Sequence, residues 1–108
     1  MLNSNIPVDV SRWKSRLDEC SRKIKYGTDE QMRDRDGRPL WDVIILARAP
    51  EFKGSEKIKV VVASETDPAA GIELDAPVKL ENLAVSFGVL ESGKSWSKFT
   101  ATKISPAK

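Results

Sequence analysis

The chain has 108 residues, 40% hydrophobic and 31% charged, which bounds it to one small domain with a modest core. With no histidine and a single cysteine it has no internal disulfide, no zinc site of the usual kinds and no Ser-His-Asp or Cys-His chemistry, so no enzymatic role, metal or cofactor is expected. A net charge of +2 is too small to indicate a nucleic-acid partner by itself; no apolar run approaches the roughly 18 residues of a membrane helix and no charged-then-apolar leader follows Met1, so a soluble, cytoplasmic protein is expected, with no membrane partner.

In chain order, residues 1–9 read as a flexible N-terminal segment and 10–105 as a single domain. Val10, Trp13, Leu17, Cys20 and Ile24 recur at three- and four-residue intervals, as on one stripe of a helix. Trp13, Ser15 and Leu17 against Lys14, Arg16 and Asp18 fit a strand equally well, and local pattern leaves the two open. The polar stretch GTDEQMRDRDGRP, with Gly27 and the Asp36-Gly37 turn, reads as an exposed connection or hairpin arm.

Trp41 to Arg48 and Ile58 to Ala63 are rich in β-branched residues and read as two strands joined across Pro50 and Gly54. Residues 64–77 hold Pro68, Gly71 and Pro77 and form a loop with room for one helical turn. Val78 to Phe87 alternates as a half-wet strand, with a bulge or bend at Asn82. A Ser92-Gly93 turn then leads into a last strand, Trp96 to Ile104, and Trp13, Phe87 and Phe99 read as core. Short strands at this spacing predict an all-β fold, a small closed or partly closed barrel, because closure removes unpaired edges.

Charge is uneven along the chain. Ser11 to Leu40 holds nine Lys or Arg against six Asp or Glu, Glu65 to Glu81 holds five acids against Lys79, and Asn82 to Lys108 holds four lysines against Glu91. If the two basic stretches share a face, they form a positive stripe suited to phosphates.

The residues DRDGRPLWDVIILAR (34–48), Ile58 to Ala63, the proline-containing loop before Val78, the closing SGKSWSKFTATKISP and the opening Pro7-Val8-Asp9 resemble small actinobacterial plasmid and phage proteins of the oligonucleotide-binding barrel type. In outline the chain also resembles the filamentous-phage gene V single-stranded DNA-binding proteins. The resemblance implies a five-stranded barrel with protruding hairpins or loops, in which residues 12–24 are mainly the first strand. It further implies sequence-tolerant binding of single-stranded DNA by a homodimer. The chain departs from the gene V pattern in the acidic loop Glu65 to Asp75 and in having one tyrosine.

Single-stranded DNA held without sequence reading needs cations that track phosphates and aromatic faces on which bases stack. Arg33, Arg35 and Arg38 lead into Trp41, Lys94 and Lys98 flank Trp96, and Lys57 and Lys59 share a strand face, as do Lys14 and Arg16 if their segment is a strand. These cations, with Tyr26, Trp41 and Trp96 as stacking groups, form the candidate site. Several have a structural reading too: Trp41 suits a core position beside Leu40, Lys57 and Lys59 suit an edge that discourages aggregation, and Cys20 suits a small buried residue. The expected role is single-stranded DNA binding in plasmid, phage or integrative-element replication or transfer. The alternative is a β-barrel adaptor for a replication or conjugation enzyme such as a helicase, its cue being the acidic stretch Glu65 to Glu81.

Overall fold

The computed structural model describes residues 3–50 and 52–107. Its regular elements are all strands: β1 (Asn3–Pro7), β2 (Lys14–Arg22), β3 (Leu40–Arg48), β4 (Ser55–Ala63), β5 (Pro77–Glu81), β6 (Ala84–Val89), β7 (Ser95–Ala101) and β8 (Lys103–Pro106). They form one curled, half-barrel sheet in the order β1-β6-β7-β4-β3-β2-β5-β8. Among the described residues no helix is long and apolar enough to cross a membrane.

The stretch with two competing periodicities is strand β2. Ser15 and Leu17 point inward between exposed Lys14 and Arg16, and β2 pairs antiparallel with β3. The register shifts between Leu17 and Glu19, where Asp18 is the extra residue. This bulge reverses the inside-outside alternation, so Cys20 opposite Val43 faces the core three positions after Leu17. A bulged strand therefore mimics helical spacing.

β3 and β4 make the expected hairpin, in unbroken register from Leu40 opposite Ala63 to Arg48 opposite Ser55. Val43, Ile45 and Ala47 alternate inward, with Val43 opposite Val60 and Ile45 opposite Ile58, and Val62 joins the same core. The following loop forms turns but no helical turn. It is strapped to β2: Asp75 N–H donates to Leu17 O at 2.7 Å and Leu17 N–H to Ala76 O at 3.0 Å.

Two stretches that read as single strands are each divided by one bend. Asn82, at φ 54°, separates β5 from β6, and Thr102 separates β7 from β8. The bends adjoin, with Thr102 N–H on Glu81 O and Asn82 Nδ2 on Thr102 Oγ1, both at 3.0 Å. The resulting long hairpin changes neighbours at its waist. Its stem places β5 beside β2, and its outer half places β7 parallel to β4. Leu80, Leu83, Ala101 and Ile104 close the core from this side. β1, inside the stretch read as a flexible lead-in, adds to β6 with Ile6 opposite Val85.

Phe87 is exposed rather than core. It lies on the outer half of the long hairpin, beyond the enclosed interior, as do Val89 and Leu90. Trp13 and Phe99 are half-buried and pack on the core's margin, Trp13 against Phe52 with ring centroids 5.5 Å apart.

Candidate nucleic-acid interface

Residues 23–39 link β2 to β3 as an ordered arm of two successive turns. In the first, Lys25 N–H donates to Glu30 O at 2.8 Å and Thr28 N–H to Lys25 O at 3.0 Å, which leaves Tyr26 fully exposed at the tip. In the second, Asp34 Oδ1 accepts the backbone N–H of Asp36 and of Arg38 at 2.9 Å each, and Gly37 adopts φ 81°. Those backbone bonds, Arg38 foremost, hold the Asp34 carboxyl below its ordinary range, and the Arg38 guanidinium adds to the effect.

The arm's arginines are partly occupied in building it. Arg33 Nη1 donates to Gly37 O at 2.8 Å, and Arg38 Nε pairs with Asp34 Oδ2 at 3.2 Å. Arg35 makes no ion pair among the described residues and is exposed at the tip.

The arm and the last hairpin, far apart in sequence, meet over β4. A hollow of about 750 Å³ is lined by Arg33 and Arg38 from the arm, Val61 and Ala63 from β4, and Lys98 and Thr100 from β7. An adjoining cleft of about 600 Å³ shares Val61 and Lys98 and adds Lys57, Lys59, Lys23 and, on its acidic side, Glu56. The alternation of β4 explains the lining. Ile58, Val60 and Val62 point inward, so Lys57, Lys59 and Val61 share the opposite face, and the parallel register sets Val61 beside Thr100.

Two of these cations are already paired, Lys57 Nζ with Asp18 at 3.5 Å and Lys23 Nζ with Asp42 Oδ1 at 3.5 Å. Asp42 Oδ1 is buried without a hydrogen bond, so the Lys23 ammonium is what neutralises it. Lys59 and Lys98 have no ion-pair partner among the described residues.

The other expected site residues lie elsewhere. Lys14 and Arg16 do share a face, but they line a separate depression with Pro77 and Lys79 on the β2–β5 side. Lys94 is exposed in the turn closed by Leu90 N–H on Lys94 O. Trp41 is half-buried and its Nε1–H donates to Ser64 O at 2.9 Å, fixing the indole to the end of β4. Trp96 is half-buried on β7 and packs against Gly88, where a β-carbon would come within 2.9 Å of its ring. Phe52 and Phe99 also line the cleft; by sequence Phe99 reads as core, and Phe52 carries no local signal of a site.

The acidic loop is held on β2, two strands away from β4 in the sheet. There Asp67 Oδ1 accepts Ala69 N–H at 2.8 Å and the Cys20 thiol at 3.3 Å. Burial, with the Asp67 carboxylate beside it, pushes the Cys20 thiol up to about 12. Among the described residues no group of three His, Cys, Asp or Glu side chains is placed to hold a metal ion. No protein-family model matches the chain, and no similar curated protein or solved structure was found.

Proposed function

We propose that this protein binds single-stranded DNA, without enzymatic chemistry and without reading its sequence, in the groove that crosses β4 between the arm and β7. The observation that carries the reading is the meeting of Arg33, Arg38 and Lys98 around one hollow, continued by Lys57 and Lys59. Cations over a half-apolar sheet face suit a phosphate chain whose bases turn toward the protein.

The pairings support an oligonucleotide-binding architecture. Followed through their bends, β5–β6 and β7–β8 count as one long strand each, and the neighbours run β2, β3, β4, β7–β8, β5–β6 and back to β2. This path supports the reading of a five-stranded barrel with one parallel contact, the arm and the 90–94 turn being its protruding connections. In barrels of this kind the second and third strands and these two connections hold the ligand. Replication or transfer of a plasmid, phage or integrative element is the setting in which such a protein acts.

The test is fluorescence anisotropy of labelled oligo-dT at several salt concentrations. Three to five phosphate contacts predict a slope of log K against log salt of about −2 to −3.5. No binding at low salt, or binding insensitive to salt, would refute the reading.

The adaptor reading has its own observation. Ile6, Phe87, Val89 and Leu90 are exposed apolar side chains on β1 and the outer half of the long hairpin, a surface for protein, whether a second copy or a replication or conjugation protein. Substituting Phe87 and Val89 with Ser lowers the oligomeric state or partner capture and leaves oligo-dT affinity unchanged. Size-exclusion chromatography with light scattering reads the first effect.

A further inference from the structure

The sheet is not evenly sealed between β4 and β7. Their pairing covers only Val60 to Val62 against Phe99 to Ala101. Toward their N-terminal ends the two strands have other partners but not each other. Residues 55–59 of β4 pair with β3, and residues 95–98 of β7 pair with β6.

Each strand therefore turns one edge of backbone N–H and C=O groups toward the gap with no strand opposite. The cleft of about 600 Å³ lies here, within the range of sites that enclose a small organic ligand. Its chemistry is layered. Ile58 and Phe99, which face inward with Val60 and are reached where the strands part, supply an apolar floor, Phe52 a second aromatic wall, and Lys57, Lys59 and Lys98 on the opposite face a cationic rim.

We infer that this cleft takes one nucleobase of the bound strand, stacked on Phe99, with its edge against the open backbone of β4 and β7 and its flanking phosphates on Lys57, Lys59 and Lys98. The inference rests on the single-strand reading of the groove and adds where a base enters the protein. It also explains tolerance of sequence. Every base has a π-face, and a strand edge offers donors and acceptors together, so each base finds some complement.

The experiment is photocrosslinking of the full chain to oligo-dT carrying one 5-iododeoxyuridine, with the modified residue located by mass spectrometry, alongside anisotropy titration of Phe99→Leu. The expected result is a crosslink at Phe99 and an affinity for oligo-dT reduced by about five- to 150-fold, the value of one base-aromatic stack. Leucine preserves apolar contact with the core, and the crosslink on the unaltered protein decides the matter even if that variant folds poorly. Oligo-dT binding with crosslinks only outside the cleft, or binding by a folded Phe99→Leu protein equal to the unaltered one, would overturn the inference while leaving the groove reading intact. Absence of oligo-dT binding by the unaltered protein would remove both.

Discussion

Replacing Lys59 and Lys98 together by alanine is the most direct challenge to the groove. Both line the cleft, they come from strands joined only by the parallel β4–β7 contact, and neither has an ion-pair partner among the described residues. Removing them costs no internal salt bridge, so loss of DNA affinity reads the phosphates alone.

For single strands each neutralised phosphate contributes about 0.7 to the salt slope, so at 0.1 M monovalent salt one contact is worth about 0.7 in log K, or about fivefold. The double substitution should weaken oligo-dT binding by about 25-fold, about 2 kcal/mol, and flatten the slope by about 1.4. The control is Lys79→Ala with Lys103→Ala, the same change of net charge on β5 and β8, where neither residue lines the groove. Anisotropy titrations at 50, 100 and 200 mM salt, as assay conditions on the order of those that resolve such slopes, measure both. An unchanged slope in the Lys59/Lys98 variant, or an equal loss in the control, would refute local phosphate binding in favour of diffuse charge attraction.

Three further outcomes follow from other parts of the molecule. Gly88→Ala drives a methyl group into the Trp96 ring and should destabilise the protein by about 1–3 kcal/mol in urea unfolding, with a shift in tryptophan emission; unchanged stability would mean the indole moves aside freely. Cys20, with its thiol pushed up to about 12 against an ordinary value of 9.0, should react slowly with Ellman's reagent at pH 8 in the folded protein and quickly in urea, and Asp67→Asn should speed the folded reaction. Because the folded thiol holds its proton more tightly than the unfolded one, this stabilisation is complete below about pH 9 and is lost as pH rises toward 12. Asp34 shifts the other way: its contribution is present above the ordinary carboxylate value of 3.8 and is lost as pH falls through the lowered folded value, so Asp34→Ala should accelerate tryptic cleavage at Arg33, Arg35 or Arg38 at neutral pH, and cleavage at the unaltered rate would show that Asp34 does not brace the arm.

The hairpin of β3 and β4 was legible because two β-branched runs bracket a Pro- and Gly-bearing connection, and the face shared by Lys57 and Lys59 follows from strand period alone. The bend at Asn82 was legible because it breaks an otherwise regular alternation. The nature of residues 10–24 was not: the extra residue Asp18 shifts the inward set by one, and only pairing with β3 distinguishes that from a helical stripe. Phe99 looked like core because Ala101 follows it at period two, and Ala101 is indeed buried. That its ring borders a cleft depends on where β4 and β7 part, a tertiary fact with no local signal. The convergence of arm and terminal hairpin has the same origin, since residues 33–38 and 98 come together only through the crossing that sets β7 beside β4.

That crossing also governs how the chain reaches its native state. The β3–β4 hairpin closes through a short loop and can form within microseconds, whereas the contacts of Ser15 with Val78 and of Val60 with Phe99 must wait until most of the polypeptide is in place. Refolding should accordingly take milliseconds to seconds, and on the ribosome the sheet cannot be completed until the final strands have emerged.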